Sequence, residues 1–267
     1  MNKTKIDWAT MSWNPVTGCR HGCPYCYARR TARRFDAGCV DPTPLPGGLH
    51  VLTEKIKATP YPYGFEPTMH RYRLNQPERQ EEPQTVFVCS MADLFGRWVP
   101  TSWIVEVLDA CRRAPQHRYL FLTKNPARYL ELDHMALLPH ESNFWYGSTV
   151  ANEDAEAMYT MQGVAINSFW SMEPLLGPVD MSKAEGLPQW VILGAETGNR
   201  REKVVPRWEW VDQIVQFCAE NEIPVFFKDN IRAHFQDLPP STFPWDDRES
   251  KTAKWAANFM GRFERQV

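Results

Sequence analysis

The stretch TVFVCSMADLFGRWVPTSWIVEVLDACRRAPQHRYLFLTK (residues 85–124) decides the fold. Its two ends, residues 85–93 and 118–124, are short runs of apolar, β-branched and aromatic residues that finish in polar ones. Such nearly continuous hydrophobicity is typical of strands buried on both faces of a parallel sheet. Between them, residues 101–114 have the apolar spacing of a helix. The stretch therefore predicts a strand–helix–strand unit.

The same alternation continues toward the C-terminus. Four further runs predict strands of the same kind, at residues 143–149, 167–174, 189–197 and 223–230, and residues 206–221 predict another helix. Repeated units of this type form either a doubly wound sheet or a complete or partial (β/α) barrel. Nearly every predicted strand ends in a polar residue, and the functional residues of barrels collect at that rim, so the barrel is favoured.

Two segments depart from this alternation within the single domain that we predict over residues 1–267. A proline-rich insertion, residues 41–83, contains eight prolines. Prolines exclude a long helix and a central strand, so we interpret the insertion as an ordered surface excursion or lid. The C-terminal extension, residues 234–267, ends in KTAKWAANFMGRFERQV, whose pattern is that of an amphipathic closing helix.

The composition narrows the class of protein. Hydrophobic residues make up 43% of the chain and charged residues 23%, which excludes wholesale disorder, and the net charge of −2 gives no overall attraction to nucleic acid. No apolar run approaches the length of a membrane span, and the N-terminus lacks the apolar stretch of a signal peptide. We therefore expect a cytoplasmic protein with no membrane partner.

Three of the seven cysteines fall within eight residues and form the most informative motif. Cys19, Cys23 and Cys26 have the spacing C-x3-C-x2-C, which suits a metal site in a reducing compartment better than a disulfide framework. Their thiolates can converge only if the backbone loops, and Gly18 and Gly22 suit such a loop. Three cysteine ligands leave one iron of a four-iron cluster open to another ligand.

Two other interpretations of these cysteines stay open. The first is a zinc site that His21 or Cys39 completes, although zinc sites more often combine two C-x2-C pairs and the chain has one. The second is a chance grouping of free thiols.

The cysteine spacing, with Tyr25 just before the third cysteine, resembles the radical S-adenosylmethionine (SAM) superfamily. The resemblance implies a [4Fe–4S] cluster on the three cysteines, SAM as second cofactor, and reductive cleavage of SAM followed by hydrogen abstraction from a substrate. It also implies an electron donor such as flavodoxin or ferredoxin. Another possible reaction is transfer of a different substituent of the SAM sulfonium sulfur, without formation of a free adenosyl radical.

More narrowly, the chain is similar to the phage-associated three-cysteine-motif radical SAM proteins, a family of unassigned function. The similarity runs from about Trp13 to Lys228 and is carried by WNPVTGC, CYA, SMADLF, LTK, MEPLLGP and the Gly-x-Glu of LGAETG. The spacing before the second cysteine is that of the superfamily, whereas the family usually has a longer spacer. The phage association makes DNA, a nucleotide or a modified nucleobase the first expectation for the substrate, and a peptide or small metabolite the second.

Polar residues at the strand ends are candidates for the rest of the site. The resemblance implies that the segment after the second strand contacts the methionine part of SAM, although Asp93 could equally cap the next helix. Glu173 and Glu196 could bind ribose hydroxyls or substrate amines, and Lys124 and Lys228 could bind a carboxylate or phosphate. Alternatively, one or two of these four side chains form salt bridges across the barrel mouth. Predicted cofactor contacts are Tyr25, Ser90, Met91, Asp93, Glu173 and Glu196, and predicted catalytic residues are Lys124, Glu173, Glu196 and Cys89, the last as a hydrogen donor.

Four arginines follow the cysteines in ARRTARRF. Arg29 and Arg33, and likewise Arg30 and Arg34, lie one helical turn apart. Such a strip beside the cysteines could bind a nucleic-acid backbone through its phosphates, or it could be an ordinary solvated face. The alternative function is therefore a non-enzymatic zinc- or iron–sulfur-containing module that presents these arginines to nucleic acid.

Overall fold

The computed structural model describes residues 1–35, 45–56, 59–153 and 166–246. The chain divides into two compact units, Met1–Tyr146 and Gly147–Val267, and each is described by itself. The single domain over residues 1–267 stays a prediction.

The first unit contains the predicted strand–helix–strand unit of residues 85–124. β6 and β7 are parallel neighbours, with Thr85 opposite Arg118, and α2 connects them. β6 is also parallel to β2, which pairs with β1 in the antiparallel sense. The elements are β1 (Asn2–Lys3), β2 (Met11–Trp13), β3 (Val16–Thr17), α1 (Tyr27–Arg34), β4 (His50–Leu52), β5 (Thr68–His70), β6 (Thr85–Val88), α2 (Thr101–Arg112), β7 (Arg118–Thr123) and α3 (Ala127–His134), while β8 (Phe144–Thr149) crosses the boundary between the units.

Burial explains why these residues form these elements. The middle of β7 is buried without interruption from Tyr119 to Phe121, as expected for a strand covered on both faces. Helix α2 instead buries one stripe, in which Ile104, Val107 and Cys111 are separated by three and four residues. The strand runs and the helical spacing of the sequence therefore correspond to real packing.

A three-stranded sheet in the order β3-β5-β4 corrects the prediction for the insertion at residues 41–83. β5 is the middle strand, antiparallel to β3 and parallel to β4, and all three of its residues are buried. The prolines did not exclude this strand because none lies within it; Pro67 directly precedes it. The insertion is therefore more than a surface excursion, because it includes a buried central strand.

The second unit consists of parallel strands covered by a helix. β10 lies between β9 and β11, with Val191 opposite both Trp170 and Val225. Its core combines strand residues with Val211 and Ile214 of α4. The elements are β9 (Asn167–Met172), β10 (Val191–Leu193), α4 (Trp208–Glu220), β11 (Val225–Phe227) and the short α5 (Asp229–Arg232).

The mixed α/β class with mainly parallel strands is thus confirmed, as are the six predicted strands and the two predicted helices. The extension has no helix in its described part, residues 234–246, and the predicted closing helix lies outside the described residues. Among the described helices, none has the length and apolar character needed to span a membrane.

Candidate metal centre

The cysteines lie on one loop, residues 18–26, between β3 and α1; we call it the cysteine loop. Gly18 and Gly22 have φ angles of 88° and 71°, in the left-handed region that favours glycine. A Cβ on Gly18 would lie 2.2 Å from the carbonyl oxygen of Glu66, so the insertion packs directly on the loop. The backbone N–H of Gly18 also donates to the carbonyl of Met91 at 2.9 Å. The predicted glycine loop is therefore present.

The far end of the cysteine loop is tied to the start of α1. Cys26 is the N-cap residue, and its Sγ accepts a hydrogen bond from the backbone N–H of Arg29 at 3.4 Å. The Arg29 guanidinium reaches back and donates to the carbonyl of Cys19 at 3.0 Å. Because the carbonyl of Cys23 accepts from the N–H of Cys26 at 3.2 Å, all three cysteines take part in this closure.

The three thiols are free and partly buried. Burial raises the pKa of Cys19 to about 12, although a backbone hydrogen bond from His21 opposes the shift. Negative charge on Asp93, Cys23 and Cys26 raises that pKa further. The three sulfurs and the carboxylate therefore lie within electrostatic range of one another.

Asp93, one of the predicted cofactor contacts, joins three segments of the first unit. Asp93 is 5% exposed, and its carboxylate accepts hydrogen bonds from His21 Nε2 at 2.7 Å and Thr123 Oγ1 at 2.7 Å. It also accepts from the backbone N–H groups of Lys124 at 2.9 Å and Phe95 at 3.1 Å. Such a set of donors is what a buried carboxylate requires.

Lys124 brings a positive charge to the same place. Its ammonium nitrogen lies 5.5 Å from the centre of the Tyr25 ring, which is within cation–π distance. Burial lowers the pKa of Lys124, while negative charge on Cys23, on Asp93 and on the other two cysteines opposes the shift. The structure therefore brings two predicted residues, Lys124 and Tyr25, to the cysteine loop.

The predicted contacts after β6 form a turn that the side chain of Asn14 holds. Asn14 Oδ1 accepts from the N–H of Met91 at 2.8 Å and from Ser90 Oγ at 3.2 Å. The hydroxyl of Tyr27 donates to the carbonyl of Ser90 at 2.6 Å. The sequence analysis did not identify Asn14 and Tyr27 as site residues. The one indication was that they lie in WNPVTGC and CYA, two of the segments that carry the family resemblance.

Two further expectations concern Cys89 and Asp93, which lie on either side of Ser90 and Met91. Cys89, the predicted hydrogen donor, is buried with a φ of 59°, and burial raises the pKa of its thiol to about 12. The role of Asp93 as a cap of the next helix is wrong, because α2 begins only at Thr101 and its N-cap residue is Pro100.

In the second unit, two predicted residues form a pair at the ends of parallel strands. Lys228 Nζ lies 2.5 Å from Glu173 Oε1, to which Asn230 Nδ2 also donates at 3.5 Å. A Cβ on Gly194 would lie 2.9 Å from Cγ of Glu173. The space that Gly194 leaves open is therefore next to the Glu173 side chain.

Glu196 pairs with Arg200, which sequence reasoning did not identify. The guanidinium donates to both carboxylate oxygens at 2.7 Å, and the N–H of Val204 donates at 3.2 Å. The hydrogen bond from Arg200 lowers the pKa of Glu196. Both oxygens of this predicted site residue thus have partners within its own loop.

Of the four arginines predicted to form a phosphate-binding strip on α1, three are exposed to solvent. Arg29 is partly buried against the Phe65 ring, 5.0 Å from its centre, and holds the cysteine loop. Arg30, Arg33 and Arg34 are exposed, and their side chains make no hydrogen bond or ion pair with any other residue that the structure describes.

The donor set of the cysteine loop fits an iron–sulfur or zinc group. Throughout the described ranges, no three His, Cys, Asp or Glu side chains are grouped so as to hold a metal ion, so the fit rests on the chemistry of the donors. Three thiolates and Asp93 would place four negative charges beside two positive ones, the ammonium of Lys124 and the guanidinium of Arg29. A bound cationic centre would balance this excess and favour the thiolate forms.

Comparisons with known proteins add a family. In the comparison with solved structures the chain is similar to a cysteine-to-serine mutant of spore photoproduct lyase, with a TM-score of 0.44 and 12% sequence identity. The match covers 73% of this chain, which spans 58% of that one. No curated protein matches the chain. The model of the family described as "Protein of unknown function (DUF5131)" matches residues 3–254, and the chain therefore belongs to that family.

Proposed function

We propose that this chain is a radical SAM enzyme, with a [4Fe–4S] cluster on Cys19, Cys23 and Cys26 in a complete or partial (β/α) barrel. The observation that carries the proposal is the cysteine loop itself. It has the C-x3-C-x-aromatic-C spacing and three partly buried thiols, and Lys124 supplies a nearby positive charge. When bound, such a cluster supplies the electron for reductive cleavage of SAM, whose adenosyl radical then takes hydrogen from a substrate.

The residues around the cysteine loop have distinct tasks in this proposal. Asp93 holds the loop through His21, and Lys124 offsets the negative charge of the thiolates. The turn at Ser90 and Met91 is the candidate for contact with the methionine part of SAM. Glu173 and Glu196 are the candidates for ribose or substrate contacts, and in the structure they pair with Lys228 and Arg200.

The partners follow from the same proposal. SAM is the second cofactor, and flavodoxin or ferredoxin supplies electrons in the cytoplasm. The substrate that we favour is DNA, a nucleotide or a modified nucleobase. The three exposed arginines of α1 support it, because the helix begins directly after Cys26 and so carries their charge close to the cysteines.

Anaerobic purification, followed by iron and sulfide analysis and incubation with SAM and dithionite, tests the enzyme proposal. We expect about four irons per chain and formation of 5′-deoxyadenosine. Cys23→Ala should abolish both. The matched control Cys218→Ala, in the core of the second unit, should retain both. A colourless, zinc-loaded protein that forms no 5′-deoxyadenosine would overturn the proposal.

The exposed arginines also support the alternative, a metal-containing module that binds nucleic acid without catalysis. Titration of labelled single-stranded DNA over a range of salt concentrations separates the two. Charge reversal at Arg30, Arg33 and Arg34 should weaken binding and lower the salt slope by about one per lost phosphate contact. The control is reversal of Arg112 and Arg113 at the C-terminal end of α2, which pair with Glu141 and Glu78. Arginine-dependent binding by a protein that never cleaves SAM favours the module.

A further inference from the structure

One buried carboxylate ties the middle of the cysteine loop to the strands behind it. The donors to Asp93 come from the loop (His21), from the turn after β6 (Phe95) and from the end of β7 (Thr123 and Lys124). The carboxylate is thus the point where three segments meet. Its burial makes the loss of any donor costly, because the charge cannot then turn to water.

His21 is the side chain by which the loop reaches this point. It lies between Cys19 and Cys23 in the sequence, and Nε2 lies 2.7 Å from Oδ2 of Asp93. The ring packs edge-on against Trp98, with 4.8 Å between the ring centres. Arg20 is a further side-chain anchor inside the loop: its guanidinium donates to the carbonyls of Gly47 and Gly48 and to the carboxylate of Glu66, all in the insertion. Backbone hydrogen bonds and Arg29 act at the two ends of the loop.

We propose that His21 and Asp93 are positioning residues: their hydrogen bond fixes the segment from Cys19 to Cys23, so that its two thiols keep the orientation in which they bind the group that the loop holds. The inference depends on the proposed function only for the identity of that group. Neither residue has to touch substrate or SAM for this role.

Two substitutions of His21 separate the hydrogen bond from the packing of the ring. His21→Phe keeps an aromatic ring against Trp98 but has no donor for Asp93. His21→Gln loses the ring but carries an N–H that can reach the carboxylate. Because His21 is partly exposed, either variant should fold, whereas Asp93→Asn alters a buried site and serves only as a supporting variant.

The test is the rate at which iodoacetamide alkylates each cysteine of the full-length chain, measured by mass spectrometry under anaerobic conditions after treatment with a chelator. In His21→Phe the rates at Cys19 and Cys23 should rise about tenfold, the change expected for loss of one hydrogen bond to a charged group. The rate at Cys218 should not change. His21→Gln should restore rates close to those of the wild type. In iron-loaded protein, His21→Phe should release iron to a chelator faster.

Unchanged rates in His21→Phe would overturn the proposal, as would a His21→Gln that behaves like the phenylalanine variant. An equal rise at Cys218 would also overturn it, because it would show a general loosening of the fold. The alkylation needs no cluster. If the protein fails to bind iron, the proposed function fails, while the result for His21 and Asp93 can still be interpreted.

Discussion

Single residues decide the charge balance at the cysteine loop. Thiolates and a carboxylate repel one another, and Lys124 is a positive group that lies within electrostatic range of them all. The sequence indicated Lys124 through its place at the end of a strand. It could not indicate that Asp93 and His21 pair, because 72 residues separate them and a spacing pattern cannot show a contact at that distance.

The first prediction concerns this charge. Lys124→Met keeps a long flexible side chain but removes the ammonium, so the thiolates lose a compensating charge and should retain iron about tenfold less tightly. Iron content after competition with a chelator measures the effect. Lys124→Arg keeps the charge and should resemble the wild type, as should Lys183→Met, which changes an exposed lysine. Equal iron retention in all three variants would contradict the role of charge.

The second prediction concerns pH and His70, which lies in β5 with Nε2 2.8 Å from Thr17 Oγ1. Burial, aided by the charge of Arg73, lowers its pKa to about 3, against an ordinary value of 6.5. Between these values the unfolded chain binds a proton that the folded chain does not. The contribution of the neutral His70 to the free energy of unfolding is therefore complete above pH 6.5. It is lost progressively as the pH falls toward 3.

Urea unfolding of the wild type and of His70→Gln at pH 7 and pH 5 measures this loss. The free energy of unfolding of the wild type should fall by about 2 kcal/mol more than that of the variant, which lacks the titrating group. The same pH dependence in both proteins would show that His70 is protonated in the folded state.

At the scale of elements, the sequence predicted strands that are long apolar runs and missed those that are not. β3 and β5 have two and three residues, too few for a periodic pattern, and they pair across more than 50 positions. The rule that prolines exclude strands was applied to the whole insertion, whereas it holds only at the proline positions. The packing of Glu66 on the cysteine loop was therefore not predictable.

The two glycines of the cysteine loop give the third prediction. Both were expected to permit the loop, but only Gly18 lacks room, because a Cβ there would lie 2.2 Å from the Glu66 carbonyl oxygen. Gly18→Ala must shift the backbone and should cost well over about 2 kcal/mol or prevent folding. A Cβ on Gly22 would have no neighbouring atom of the described residues within 4 Å, so alanine should cost only the strain of positive φ, about 1 kcal/mol. Urea denaturation distinguishes them, and equal losses would contradict the packing argument.

At the scale of the whole molecule, the chain forms two compact units, and the predicted site residues divide between them. The three cysteines of the cysteine loop, Asp93 and Lys124 belong to the first unit, whereas Glu173 and Glu196 belong to the second. The alternation of strands and helices predicted the α/β class correctly because that pattern is local. The division into units depends on which elements share a core, and local hydrophobicity does not record it.

The last prediction follows from that division and compares hydrogen exchange before and after removal of iron from the full chain. Loss of the group should speed exchange at Cys19–Cys26, because the three cysteine sulfurs then lose their common partner. Strands β9, β10 and β11 should keep their protection, since Trp170, Leu193 and Val225 pack with α4 in a core that contains none of the three cysteines. Cys23→Ala should show the iron-free pattern whether or not iron is supplied. Faster exchange in β10 on iron removal would contradict this, because it would make the core of the second unit depend on the cysteine loop.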